Sequence, residues 1–393
     1  MKYYIHGLLG VLLVACNCVQ AEYVENEKEP GFFPSLEVDI NHEDNVYRSE
    51  KNTLSDSYYQ IKPLLGWKML FRQHELALLY KGNYGRYSDI DAFDYDDYLL
   101  AANLGLDLSE KLKLDINGKY EQGHDQPGDP GTSLIARNEA EVWDDKSLQG
   151  RVVYGRRIAN AQVAFSLTGI ERRYDNNTFY SRDKDTLRAV AEFYLKLAPK
   201  TWFVSEFRYL EIDYIGNQLT SEDNKESNVF IGVEWEATAK TSGKVLVGYI
   251  KKKPDSAFFD TYTGFGMEAD VIWRPKEYST VTISGSRKPV DGSDNLTSFY
   301  VADKFSLRWQ HGLTELVAFE LGASIEDDEY QSFKRDEKYT RLGGQLIYSW
   351  KRTVKAGVRF NHIERDSNFF NSDYRTNIFG VFIKWTPLTP SRV

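Results

Sequence analysis

The amino-acid sequence predicts an all-β fold, a closed transmembrane β-barrel of about 18 antiparallel strands. Three observations predict it: recurring stretches of alternating hydrophobicity, a regular alternation of short and long connections, and tryptophans gathered at one end of the strands. Mean hydropathy is −0.51 and 14% of the residues are aromatic. This combination is typical of a wall in which only alternate side chains face lipid. A soluble, β-rich secreted protein is the alternative.

The first residues resemble a secretory leader. A short apolar segment, residues 7–15, follows Lys2 and ends near an A-x-A-like site at Ala21. It is too short to span a membrane, so we interpret it as a cleaved signal peptide. Lipidation of Cys16 is the alternative to cleavage after Ala21. Such cleavage would remove both cysteines and leave no disulfide or thiolate metal site.

The remaining chain is predicted to form one domain with two short extensions. The predicted segments are a signal peptide at 1–21, a short periplasmic segment at 22–31, the barrel at 32–386 and a periplasmic tail at 387–393.

The last regular stretch, residues 374–385, shows the strand period most clearly. Phe379, Val381, Ile383 and Trp385 share one parity, and the other parity is mixed. A period of two with one apolar face is that of a strand. Similar stretches of about 9–13 residues, the length that a tilted strand needs to cross a bilayer, recur from residue 33 onward.

Short and long connections alternate along the chain without a break. Short links are predicted at places such as Phe71–His74 and Lys351–Thr353, and long polar links at places such as Gln122–Asn138 and Glu326–Tyr339. Outer-membrane barrels have short periplasmic turns and long external loops, so we expect both chain termini in the periplasm. Gln122–Asn138 is, by its length, the candidate for a loop that folds inward and narrows the lumen.

The tryptophans mark one rim of the predicted barrel. Six of them end strands that lead into a short turn or the tail: Trp67, Trp235, Trp273, Trp309, Trp350 and Trp385. Trp202 directly follows a short turn, and Trp143 alone lies elsewhere. Aromatic rings are most favourable at a water–lipid interface, which predicts that these six lie at the periplasmic rim.

The opposite parity of the strands supplies candidate lumen-lining residues. They are Lys113, Asp115, Lys119, Glu268, Asp270, Lys304, Arg308, Lys355 and Arg359. A lysine or arginine facing lipid near the bilayer midplane costs about 2–4 kcal/mol, which favours a water-filled interior for these side chains. Both signs of charge are present, so we expect no strong ion selectivity.

Composition and motifs exclude several classes of function. A net charge of −9 and a pI near 5.4 argue against nucleic-acid binding. The five histidines beyond the leader form no recognisable motif with a serine, so we predict no catalytic, metal or cofactor site and no enzyme activity. Membrane lipid and lipopolysaccharide are the expected surroundings. The acidic loop clusters are expected to form a solvated external surface, and binding of divalent cations of the lipopolysaccharide layer is the alternative.

Several short motifs resemble a known family. His42-Glu43-Asp44-Asn45-Val46-Tyr47-Arg48 resembles the (D/E)-(D/S)-N-(V/I)-(Y/F)-R element of an outer-membrane family called putative β-barrel porin type 2. Further similar pieces are Pro63–Leu65, Leu76–Tyr80, Asp94–Tyr98 and Phe379–Pro387. The resemblance covers nearly all of the mature chain and is structural rather than catalytic.

The resemblance implies an outer-membrane channel of a Gram-negative bacterium. Members of that family are associated with exopolysaccharide or capsule assembly, so the expected function is a conduit for polysaccharide that acts with a periplasmic export protein. A passive diffusion porin for small solutes is the first alternative. A surface-structural or adhesin barrel is the second.

Overall fold

The computed structural model describes residues 30–130, 139–155, 159–175, 182–216, 221–236, 240–292, 299–331 and 334–387. The predicted signal peptide, nearly all of the segment at 22–31 and all but the first residue of the tail at 387–393 lie outside the described residues. Within the described ranges, no helix is long and apolar enough to cross a membrane.

The described residues form one sheet of eighteen antiparallel strands. Each strand pairs with its neighbour in sequence, and β18 also pairs with β1, so the sheet closes on itself. The strands are β1 (Gly31–Glu43), β2 (Asp56–Phe71), β3 (His74–Tyr87), β4 (Tyr95–Asp107), β5 (Leu112–Asp125), β6 (Glu141–Tyr154), β7 (Ala161–Tyr174), β8 (Lys184–Ala198), β9 (Thr201–Tyr214), β10 (Asn224–Trp235), β11 (Thr241–Pro254), β12 (Tyr262–Lys276), β13 (Ser279–Asp291), β14 (Phe299–Gly312), β15 (Val317–Tyr330), β16 (Asp336–Lys351), β17 (Val354–Ser367) and β18 (Tyr374–Trp385). The predicted closed barrel of about eighteen strands is confirmed.

The closing pair shows how the two faces of the wall differ. Ile40 of β1 is in register with Val381 of β18, and both side chains point outward and are more than half exposed. The residues on either side of Ile40, which are Asp39 and Asn41, point inward and are buried. Alternation therefore gives the barrel an apolar outer face and a polar inner face, as the sequence predicts.

The connections at the two ends of the barrel differ in length. At one end, called the turn end, β2–β3 and β16–β17 are joined by only two residues, at 72–73 and 352–353. At the other, called the loop end, connections such as 44–55 and 126–140 are much longer.

Several strands run further toward the loop end than the sequence pattern predicts. The predicted link Glu326–Tyr339 is mostly strand, since β15 ends at Tyr330 and β16 begins at Asp336. The predicted link Glu364–Asp373 likewise contains the last residues of β17. Backbone hydrogen bonds continue a ladder beyond the apolar band because pairing itself does not need apolar side chains.

The first long connection, residues 44–55, folds into the loop end of the barrel. Its Val46 is buried against Tyr58, Tyr87 and Tyr95, whose rings point inward from β2, β3 and β4. Ala140, just before β6, belongs to the same cluster. Loop residues that pack on the inner wall therefore fill part of the barrel opening at the loop end, which we call the mouth.

Candidate functional site

Ion pairs line the inner face where the sheet closes. The guanidinium of Arg359 lies 3.2 Å from Glu37 Oε1 and 3.5 Å from Asp39 Oδ2. Lys62 pairs with Asp39, and Lys384 lies 3.8 Å from Glu37. These five residues, called the wall cluster, come from β1, β2, β17 and β18 and are held at adjacent positions by the strand ladder.

A similar group lies on the opposite wall. Arg208 of β9 donates to Glu206 at 2.6 Å and to Glu268 of β12 at 2.7 Å. Lys244 of β11 donates to the second oxygen of Glu206 at 2.5 Å. Opposite charges thus neutralise one another around the inner face, so neither sign dominates this part of the surface.

The structure places all nine predicted lumen residues on the inward parity of their strands, in register with inward partners. Seven of them form ion pairs: Lys113 with Asp115 (2.8 Å), Lys119 with Glu121, Glu268 with Arg208 (2.7 Å), Lys304 with Glu326 (2.9 Å), Arg308 with Glu320 (3.5 Å) and Arg359 with the wall cluster carboxylates. Asp270 and Lys355 have no ion-pair partner among the described residues.

The six predicted rim tryptophans lie at the turn end on the outward parity. Five are clearly exposed, namely Trp67, Trp273, Trp309, Trp350 and Trp385, and Trp235 is half-buried. Trp202 differs: it points inward, is 7% exposed and packs with Tyr194 and Phe230. Its position beside a turn does not reveal its parity, but it shares the parity of Glu206 and Arg208, which point inward along β9.

The third long connection reaches across the mouth. Its described turn, residues 126–130, follows β5 but contacts β17 and β18, although β1–β4 stand between them around the barrel. The carbonyl of Gly128 accepts hydrogen bonds from Tyr374 Oη at 3.2 Å and from Arg365 Nη1 at 3.3 Å. Asp129 forms an ion pair with Arg48 of the first connection.

We call residues 126–130 the docked turn, and Arg48, Asp129, Arg365 and Tyr374 the mouth cluster. Burial lowers the pKa of Arg48, but the negative groups around it, Asp129 foremost, more than reverse this and raise the pKa above its ordinary value. The inward fold expected for Gln122–Asn138 is therefore seen for its residues 126–130, and residues 131–138 lie outside the described part.

A second crossing contact lies on the other side of the mouth. Asp291, at the end of β13, accepts from Lys252 of β11 at 2.8 Å and from Lys184 of β8 at 3.0 Å. Four strands, β9–β12, stand between β8 and β13. The sequence pattern carried no signal for the mouth cluster or for Asp291, because the residues in each group are far apart in the chain.

Two of the histidine side chains lie beside a serine or an aspartate, groups that are found in catalytic sites. His42 Nδ1 lies 3.0 Å from Ser57 Oγ on the outward face, but no described residue bonds its other ring nitrogen. His124 Nδ1 lies 2.7 Å from Asp97 and stacks on Tyr95. Within the described part of the chain, no group of three or more His, Cys, Asp or Glu residues could hold a metal ion.

Closure, an apolar outer face and a charged inner face define an outer-membrane β-barrel of the porin class. The family model for "Putative beta-barrel porin 2" matches residues 31–386, so the chain belongs to that family. No curated relative matches the chain.

Solved structures support the fold. The chain is similar to Pseudomonas aeruginosa OccK2 (OpdF), solved in complex with glucuronate, with 11% identity and a TM-score of 0.50 over 91% of this chain and 98% of that one. It is also similar to Pseudomonas aeruginosa OpdK, solved with vanillate, with 10% identity and a TM-score of 0.50 over 91% and 99% of the two chains. The protein is thus a porin-like channel of the Gram-negative outer membrane.

Proposed function

We propose that the protein is a passive diffusion channel for small solutes. The observation that carries the proposal is the docked turn, which reaches from β5 to β17 and β18 and occupies part of the mouth of a closed, polar-lined barrel. A narrowed, hydrated passage suits small polar molecules better than a bulky polymer.

The comparisons favour the same function. The two similar porins were solved with glucuronate and vanillate, which are small solutes. Neither the family description nor these structures refer to a polysaccharide or to a periplasmic export protein. Passive diffusion, the first alternative from the sequence, therefore replaces polysaccharide export as the leading hypothesis.

The residues predicted from the sequence take specific roles in this proposal. The nine inward charged residues line the aqueous passage, and the ion pairs that seven of them form keep the passage weakly selective between cations and anions. The six tryptophans lie at the periplasmic interface of the membrane, and the apolar outer face contacts lipid and lipopolysaccharide. Residues 1–21 direct export of the chain and are removed.

Two measurements test the proposal. Purified full-length protein in planar bilayers should show steady single-channel currents, and vesicles that contain it should swell in solutions of small sugars. Swelling should fall sharply as the sugar grows from a monosaccharide to an oligosaccharide. Vesicles with inactivated protein serve as the control for leakage.

The absence of both channel currents and vesicle swelling would contradict passive diffusion. If deletion of the gene then also removed surface polysaccharide, polysaccharide export would become the better explanation. Unchanged surface polysaccharide together with steady currents would support diffusion and remove the export hypothesis.

A further inference from the structure

The mouth cluster places two arginines, Arg48 and Arg365, against the docked turn that carries the carboxylate of Asp129. Asp129 of the docked turn pairs with Arg48, whose guanidinium carbon lies 5.9 Å from the centre of the Tyr374 ring. The guanidinium carbon of Arg365 lies 5.1 Å from the same ring. Two permanent cations are therefore positioned by one aromatic side chain, an arrangement in which cation–π attraction offsets part of their repulsion.

One hydrogen-bond donor of Arg48 has no acceptor among the described residues. Its side chain is only 8% exposed, and its Nε is buried without a hydrogen-bond partner among the described residues. A buried donor left unpaired is costly. Arg48 also has a φ of 48°, a left-handed conformation that strains a residue other than glycine. Such strain is concentrated at sites that bind ligands.

Arg365 makes no hydrogen bond to a carboxylate among the described residues. Its Nε and Nη1 donate to neutral carbonyls, those of Ser372 at 2.6 Å and Gly128 at 3.3 Å. The carboxylate of Glu337 lies 3.9 Å away and is engaged by Arg335 at 2.9 Å. Arg365 therefore adds to the mouth cluster a cation whose hydrogen bonds, among the described residues, go to neutral groups.

We propose that Arg48, Arg365 and Tyr374 form a carboxylate-binding site of the channel, and that Asp129 is an internal ligand which a carboxylate-bearing solute replaces. This inference rests on the proposed diffusion function. Asp129 binds Arg48 through Nη1 alone, whereas a free carboxylate can bind an arginine edge through two parallel hydrogen bonds and engage Nε. Asp129 is 29% exposed, so a solute can reach the ion pair.

The test compares two sugars that differ in one group, galacturonate and galactose. Full-length protein is placed in planar bilayers without lipopolysaccharide, and each sugar is added over a range of concentrations. Galacturonate should interrupt the current at concentrations at which galactose has no effect. Calorimetric titration of the detergent-solubilised protein measures the same binding without any current.

Three variants test whether the block of the current by galacturonate depends on the mouth cluster. Asp129→Asn removes the internal competitor and should lower the half-blocking concentration of galacturonate about tenfold. Arg48→Gln removes the recognising charge and should raise it about tenfold or more. Arg375→Gln is the matched control, because Arg375 lies on the outward parity of β18 and is 73% exposed, and it should leave the value unchanged.

The outcomes separate this site from the proposed function. Steady currents with the same galacturonate response in wild type, Asp129→Asn and Arg48→Gln would overturn the carboxylate site and leave diffusion intact. Silent bilayers would count against diffusion, and calorimetry would still decide whether Arg48 binds the carboxylate. Because Asp129→Asn is expected to tighten binding, a general folding defect cannot imitate its effect.

Discussion

The wall cluster and the mouth cluster contain similar groups but are built in different ways. In the wall cluster, Glu37 and Asp39 stand on a strand that is hydrogen-bonded on both sides. In the mouth cluster, the carboxylate of Asp129 is carried by a turn outside the sheet. The first arrangement moves only if the barrel opens, whereas the second changes when one turn undocks. Similar chemistry can therefore stabilise a fold in one region and respond to a solute in another.

The largest loss of stability is expected when the wall cluster is changed. Arg359→Met leaves Glu37 and Asp39 short of positive charge in a buried position, which should lower the free energy of unfolding by about 3–5 kcal/mol. Urea unfolding of the protein in lipid vesicles, followed by tryptophan fluorescence, measures the change. Arg375→Met removes an exposed pair with Glu364 and should cost less than about 1 kcal/mol. Equal losses in the two variants would contradict the assigned difference.

The second-largest loss of stability is expected when a lysine is placed on the outward face of the wall and not on the inward face. Leu167 lies near the middle of β7 on the outward face and is 46% exposed. Leu167→Lys should destabilise the barrel by about 2–4 kcal/mol, because the charge would face hydrocarbon. Its neighbour Thr168 points inward and accepts from Gln149 at 3.1 Å, so Thr168→Lys should cost about 1 kcal/mol or less. The same unfolding assay distinguishes them, and a reversed order would mean that the faces are misassigned.

A smaller effect is expected at the second crossing contact. Asp291→Asn removes the carboxylate shared by Lys184 and Lys252 and should lower the unfolding free energy by about 1–3 kcal/mol. Asp185→Asn is the matched control, since Asp185 is 52% exposed and pairs with Arg173. If the two variants unfold alike, the Asp291 contact contributes nothing to stability.

The smallest change in stability should accompany a clear change in current. Gly128 has a φ of +77°, and a Cβ there would lie 2.8 Å from the Tyr374 ring. Gly128→Ala should therefore undock the turn at a cost of about 1 kcal/mol, with every charge of the mouth cluster kept. Mean single-channel conductance should rise. Gly118→Ala, where a Cβ meets nothing within 4 Å, is the control on the same side of the barrel. Unchanged conductance in Gly128→Ala would show that the docked turn does not narrow the passage.

Sequence patterns were sufficient for the wall because its determinants are local. The alternation in residues 374–385 predicts the outward positions of Phe379 and Trp385, and β18 has that orientation. The nine predicted inner residues lie on the inward parity for the same reason. Trp202 shows that a place beside a turn does not fix the orientation of a tryptophan, since Trp202 lies on the inward parity of β9 and not on the outward parity of the rim tryptophans.

The contacts at the mouth, unlike those of the wall, join residues that are far apart in the sequence. Asp129 looks in the sequence like one more acidic residue of a Gly- and Pro-rich loop, and Arg48 like part of a family motif. Their pairing joins residues 81 positions apart. No period or spacing encodes that approach, so sequence inspection predicted an inward third loop from its length but not the residues that hold it.

Two kinds of information therefore specify this protein. The order of residues alone determined a closed wall of eighteen strands with one apolar and one polar face, because neighbouring side chains on a strand point to opposite sides and lipid rejects unpaired backbone groups. Only the tertiary structure decided which loop groups meet above the lumen. Such contacts depend on the positions of distant strands after closure, and the docking of Asp129 beside Arg48 exists only once β1, β5, β17 and β18 stand around the same opening.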